Sequence, residues 1–266
     1  MDYVKPIDVT ENMIEAAAAA KAALSVSDFL IRGFLSGTLL GFATTLAFTA
    51  TKQTGTPIVG ALIFPVGFIL IILLGLELVT GNFALLPVAL QAKRVNARQL
   101  FANFAWVYVG NLLGSMFYGL LFAVTVWFAG APQTTTIAPM LAAAAEAKTI
   151  GYAQHGIGGL VACVAKAVLC NWMVCLGVIA AMTSTSTIGK MFAAGIPIFI
   201  FFGQGFEHSV VNMFVIPTGM MLGAKVSVAD WWLWNQIPVT LGNFLGVRRN
   251  RSDAHAAQRV VSENGS

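Results

Sequence analysis

The chain has 266 residues, of which 58% are hydrophobic and only 10% charged, whereas a soluble domain carries about 25% charged residues. Mean hydropathy is +0.80. This composition excludes an ordinary soluble domain and describes an integral membrane protein. The net charge of +4 is too small to argue for nucleic acid.

The first 25 residues carry Asp2, Asp8, Glu11 and Glu15 without a continuous apolar core, so no secretory leader is expected there. The alanine run between Glu15 and Lys21 predicts a helix lying at the membrane surface. Six apolar spans follow, at about residues 29–51, 58–90, 100–128, 160–182, 191–217 and 231–247. Span one carries Gly33, Gly37 and Gly41 at four-residue spacing, a face that lets another helix approach closely. The 129–159 connector is polar and rich in Thr and Ala, and the 248–266 tail is basic, then polar. All three cysteines, Cys163, Cys170 and Cys175, fall in or near span four. An odd count gives no disulfide framework, and small buried thiols are the expectation.

Span five contains Gly203-Gln204-Gly205-Phe206-Glu207-His208-Ser209, then Asn212 and Pro217. Polar groups at that depth are expensive; an ionisable one costs roughly 2.5–3.5 kcal/mol on insertion scales. The glycines and the proline predict a broken helix whose gap lines a polar path. Span two repeats the pattern. Glu77, Asn82 and Pro87 are spaced like Glu207, Asn212 and Pro217, and Gly110-Asn111 in span three matches Gly242-Asn243 in span six. Three spans per half is an odd number, so the second half is inserted upside down relative to the first. The expected fold is thus an all-α membrane domain at 29–247. It is built of two inverted three-helix repeats (about 29–128 and 160–247), with helices two and five broken.

Charge sets the orientation. Lys5, Lys21, Arg32, Lys93, Arg94, Arg98, Lys190, Arg248, Arg249, Arg251 and Arg259 fall on the side of the termini, against Lys52, Lys148 and Lys225 on the other. Both termini are therefore expected in the cytoplasm.

His208 is the candidate centre of the path. Its imidazole holds or releases a proton near neutral pH, which suits a small weak-acid anion whose neutral acid crosses an apolar constriction more cheaply. The Thr80 hydroxyl meets the same permeant or caps the helix at its break. Glu77 and Glu207 are expected to hold the broken segments by bonding freed backbone amides. Asn82, Asn212, Asn111 and Asn243 read as fasteners between helices. Asn171 bonds either the permeant or the break at His208. Only His208 of the three histidines lies in a span, so ligands are too few for haem or iron. No metal, cofactor or enzymatic activity is expected, and a membrane redox protein is the reading of another class. A water channel is disfavoured because neither break carries Asn-Pro-Ala.

Four stretches, Leu78-Val79-Thr80-Gly81, Cys170-Asn171-Trp172, Gly205-Phe206-Glu207-His208-Ser209 and Thr240-Leu241-Gly242-Asn243, resemble the formate/nitrite transporter family over nearly all of residues 5–247. The resemblance implies an aquaporin-like six-span fold, a homopentamer in the plasma or inner membrane, and a pore in each protomer. The permeants it implies are formate, nitrite, hydrosulfide or related small monovalent anions, with protons. It makes His208 the pore histidine and places Thr80 and Asn171 beside it. Leu78 and Phe201 form a hydrophobic constriction on one side of His208. The cytoplasmic-side gate falls near Ile58, differently shaped because no phenylalanine lies between Thr54 and Leu62. Lys148, in Ala145-Glu146-Ala147-Lys148, matches the vestibule lysine that attracts anions. Plain spacing puts His155 there instead, and Lys166 lies within span four.

Overall fold

The computed structural model describes residues 2–15, 21–128, 131–132 and 136–246. The 248–266 tail, and residues 16–20 of the expected surface helix, lie outside the described residues. A helix is described before that run, α1 (Pro6–Glu15), where Val9, Met13 and Ile14 share one buried face.

Apolar runs of helical length decide the architecture. Among the described residues, three helices are long and apolar enough to cross a membrane unbroken: α2 (Val26–Thr54), α6 (Ala97–Val126) and α9 (Gly156–Met182). At 1.5 Å per residue, the 29 residues of α2 reach about 43 Å. Span two arrives in pieces, α3 (Pro57–Ile63), α4 (Pro65–Leu73) and α5 (Val79–Gln91). Proline removes a backbone donor, which separates α3 from α4 at Pro65. Among the described residues, strand structure is confined to a two-residue pairing of Trp127–Phe128 with Ala131–Pro132 and a single bridge between Tyr3 and Ser184.

Two expectations are corrected here. The 129–159 connector is not all loop: it contains α7 (Ala138–Lys148) and α8 (Ile150–Ala153). Its alanines are strong helix formers, and Ala138, Leu141 and Ala145 are buried. Span five, α10 (Thr187–Gly203) and α11 (Ser209–Met221), does not stop at Pro217 but carries it inside the helix. Pro87 sits likewise inside α5. Proline is tolerated in such helices because neighbours satisfy the backbone it frees. The last span opens with α12 (Val228–Trp231), passes through a π-turn at Trp232–Gln236, and ends as α13 (Ile237–Leu245).

The glycine face of α2 packs on α6. A Cβ on Gly37 would overlap the Asn111 carbonyl, and one on Gly114 the Phe34 carbonyl. This contact brings the polar residues of α6 against the break between α4 and α5.

Backbone contacts sort the loops into two ends. The Val4 amide donates to the Thr183 carbonyl at 2.8 Å and the Thr185 amide to the Asp2 carbonyl at 3.0 Å, so the N-terminal segment joins the loop before α10. At the other end the Lys52 ammonium donates to the Thr136 carbonyl at 2.5 Å, and the Lys225 amide to Glu146 Oε1 at 2.8 Å.

Candidate functional site

The chain breaks twice in the same way. Gly75 and Gly205 adopt positive φ, 61° and 65°, where a side chain is strained. The next amides turn back to close the helix end, Leu76 to the Ile71 carbonyl at 3.0 Å and Phe206 to the Phe201 carbonyl at 3.1 Å. Two extended residues follow. Leu78 (φ −121°, ψ 118°) leads into α5 and His208 (φ −113°, ψ 119°) into α11.

Asparagines take up the freed backbone. Val79 N–H donates to Asn111 Oδ1 at 3.0 Å, and Ser209 N–H to Asn243 Oδ1 at 2.9 Å. The Asn111 amide group in turn donates to the Gly33 and Glu77 carbonyls, and that of Asn243 to the Ala167 and Glu207 carbonyls. This corrects the role expected of the glutamates, whose carboxylates bond side chains. Glu77 accepts from Lys21 at 2.7 Å, Asn82 at 2.6 Å and Asn103 at 3.4 Å. Glu207 accepts from Lys148 at 2.9 Å, Tyr152 at 2.8 Å, Asn212 at 2.7 Å and Asn235 at 3.4 Å. Both glutamates are buried, and a buried carboxylate needs a cation and donors to stay charged.

Lys148 is therefore tied to Glu207. His155 is exposed at the start of α9, and the Lys166 ammonium lies 5.6 Å from the centre of the Tyr152 ring.

His208 Nδ1 accepts the Val211 N–H at 3.2 Å, capping α11. An imidazolium has no acceptor nitrogen, so the ring in this geometry is neutral with its proton on Nε2. That N–H donates to Thr80 Oγ1 at 3.0 Å, joining the first turns of α5 and α11. The two helices thus present their N-terminal, positive ends at one place. Phe201 stacks on the imidazole, with ring centroids 5.7 Å apart and planes at 14°. Phe64 packs edge-on to Phe201 and stacks on Phe202. Asn171 is one contact removed: its amide group donates to the Asn243 carbonyl at 2.7 Å, while its Oδ1 has no protein partner.

Leu78 and Phe201 have different neighbours. Leu78 borders a cavity of about 720 Å³ that Val4, Asn12 and Lys21 also line, whereas Phe201 belongs to the aromatic cluster with Phe64. Ile58, 52% exposed, opens span two at the end of α2 remote from the N-terminal segment. A gate at Ile58 and a cytoplasmic N-terminus cannot both face the cytoplasm; the residue on the N-terminal side is Leu78.

Sequence reasoning missed Phe64, which lies two residues beyond the window searched for a phenylalanine. It also missed Lys21, Asn103, Asn235 and Tyr152. The separation of Asn111 from Asn243 also relates Asn103 to Asn235, so that pair was open to discovery by the same offset. Tyr152 has no such signal, since no residue described in the first half makes a matching contact to Glu77.

Paired helix breaks held by buried polar side chains, in an apolar helical bundle, define a membrane transport protein. The chain belongs to the formate/nitrite transporter family, whose model matches residues 8–247. It is 35% identical to a probable formate transporter of Methanothermobacter thermautotrophicus over 264 residues, covering 92% of this chain and 93% of the relative. It is 33% identical to the formate channel FocA of Haemophilus influenzae, covering 91% and 89%. A solved structure described as an FNT family ion channel superposes with TM-score 0.76 at 28% identity, covering 90% of this chain and 94% of that one.

Proposed function

We propose that this protein passes small monovalent anions, formate first among them, through a pore centred on His208 and Thr80. The observation that carries this reading is the His208–Thr80 bond, which joins two broken helices at their positive ends beneath an aromatic cover. The six-span, inverted-repeat architecture is supported by the two hydrogen-bond sets around Glu77 and Glu207. The termini face the cytoplasm, in keeping with the charge distribution and the joined loops. The homopentamer is taken from the family resemblance.

In this reading an anion entering past Leu78 or the Phe64–Phe201 pair sheds most of its water. It displaces the Thr80 hydroxyl and takes the Nε2–H of His208, while Thr80 turns to donate to it. Both bonds act where the helix dipoles favour negative charge. A proton reaches the imidazole only at Nδ1, and only if the Val211 N–H is released. His208 therefore works first as a neutral donor and becomes charged when that cap opens. Asn171 steadies the break through Asn243. Lys148 neutralises Glu207 beside the path rather than standing free at its mouth.

The test is formate and nitrite flux into proteoliposomes across pH, for wild type and His208→Asn. Wild type is expected to conduct with a rate that changes with pH, and the variant to lose that change. No flux of either anion above empty liposomes would sink the reading.

A further inference from the structure

The cavity on the N-terminal side of Leu78 is far larger than a formate or nitrite needs. Its volume of about 720 Å³ matches sites that enclose whole small molecules. Lys21, Arg32 and Lys190 line it, and Glu77 is the one carboxylate among its lining residues. Lys21 is matched by Glu77. Arg32 and Lys190 enter no ion pair within 4 Å among the described residues, and Asp28, which interacts with Arg32 from one turn earlier on α2, is not among the lining residues, so the lining itself carries two positive charges in excess. Arg32 spends one N–H on the Gly75 carbonyl, at 3.4 Å, and keeps the rest of its fork. Thr185 and Thr187, just before and at the start of α10, line the cavity with Lys190, as does Ser184, whose hydroxyl already bonds the Ser186 backbone.

From this charge and volume we propose that the cavity is an inhibitory site for a phosphate dianion, carried by free phosphate, a phosphate monoester or a lipid headgroup. One dianion balances the excess charge of the lining; a monovalent permeant leaves part of it unmatched. A guanidinium fork fits phosphate oxygens in pairs, and the hydroxyls donate to those that remain. Such a ligand keeps a charge even after taking one proton. It cannot pass buried Leu78 at the floor, so it stays and closes the path from that side. The blocking effect rests on the pore reading above; the binding does not.

Two measurements separate them. Calorimetry with inorganic phosphate, on purified full-length protein in phosphate-free detergent, reads binding alone. Formate flux into phosphatidylcholine vesicles, with phosphate or with chloride at equal ionic strength, reads blockade relative to each variant's own rate. Phosphate is expected to bind and to slow flux beyond chloride. Arg32→Gln and Lys190→Gln should each raise the half-inhibiting concentration about tenfold, the loss of one charge-assisted hydrogen bond, and Lys190→Arg should retain most of the effect. Slowing by phosphatidic acid in the vesicles, without free phosphate, assigns the ligand to the lipid. No binding heat together with no slowing by either source overturns the site, and so does equal inhibition of wild type and both glutamine variants. If Arg32→Gln does not fold, Lys190→Gln carries the comparison. Absence of formate flux with phosphate binding intact would fault the pore reading and leave the site standing.

Discussion

Glu207 shows how much of the site is electrostatic housekeeping rather than permeant contact. Its carboxylate is buried, and it has four side-chain donors, of which Lys148 is the cation. Removing one partner of a buried ion pair costs about 3–5 kcal/mol, because the remaining charge is stranded. Lys148→Ala should therefore lower the melting temperature of the purified protein strongly, and adding Glu207→Gln should recover most of the loss. A lysine serving only to attract anions would instead slow flux and leave melting unchanged. Asn243→Leu tests the other half of the frame. It strands the Ser209 amide together with the Ala167 and Glu207 carbonyls, each costing about 1–3 kcal/mol when buried without a partner. Asn111→Leu does the same at the first break, so the two variants should melt at similarly lowered temperatures. A large gap between them would mean that the breaks are held differently.

Among the elements, the broken helices were legible in the sequence because glycine, proline and asparagine each act through the backbone at their own position. Gly75 and Gly205 end a helix by accepting positive φ; Asn111 and Asn243 replace the bonds that ending frees. The carboxylate partners were not legible, because Lys21 and Lys148 reach Glu77 and Glu207 from 56 and 59 residues away. Nor was α7, since a run of small residues reads equally as connector or helix until a neighbour buries it. The α2–α6 contact separates two kinds of glycine experimentally. Gly114→Ala places a Cβ into the Phe34 carbonyl, so the helices must part; overpacking of this kind costs about 1–3 kcal/mol or more. Gly55→Ala meets nothing within 4 Å and strains only the φ of 65°, at about 1–2 kcal/mol. Folded yield and melting temperature should fall further for Gly114→Ala. The reverse order would mean that α2 and α6 do not approach through their glycines.

At the scale of the molecule, the proposed architecture fixes which ends share a side. Val4 bonds to Thr183, so the chain between them must cross an even number of times. In the proposed architecture, span one (α2), broken span two (α3 to α5), span three (α6) and span four (α9) supply four. The ends of α2 must then lie on opposite faces. Its exposed residues Ser27 and Thr54, together with exposed Thr185, give three positions for single-cysteine labelling. Cys163, Cys170 and Cys175 are buried and need not be replaced. With an impermeant maleimide on intact cells, Thr54→Cys is expected to react at once, and Ser27→Cys and Thr185→Cys only after the membrane is opened. If Ser27→Cys and Thr185→Cys react in intact cells while Thr54→Cys does not, the termini face outward. The lysine and arginine bias has then misled, though the helix order stands. If Ser27→Cys and Thr54→Cys react from the same face, α2 does not cross, and the two-repeat architecture fails with it.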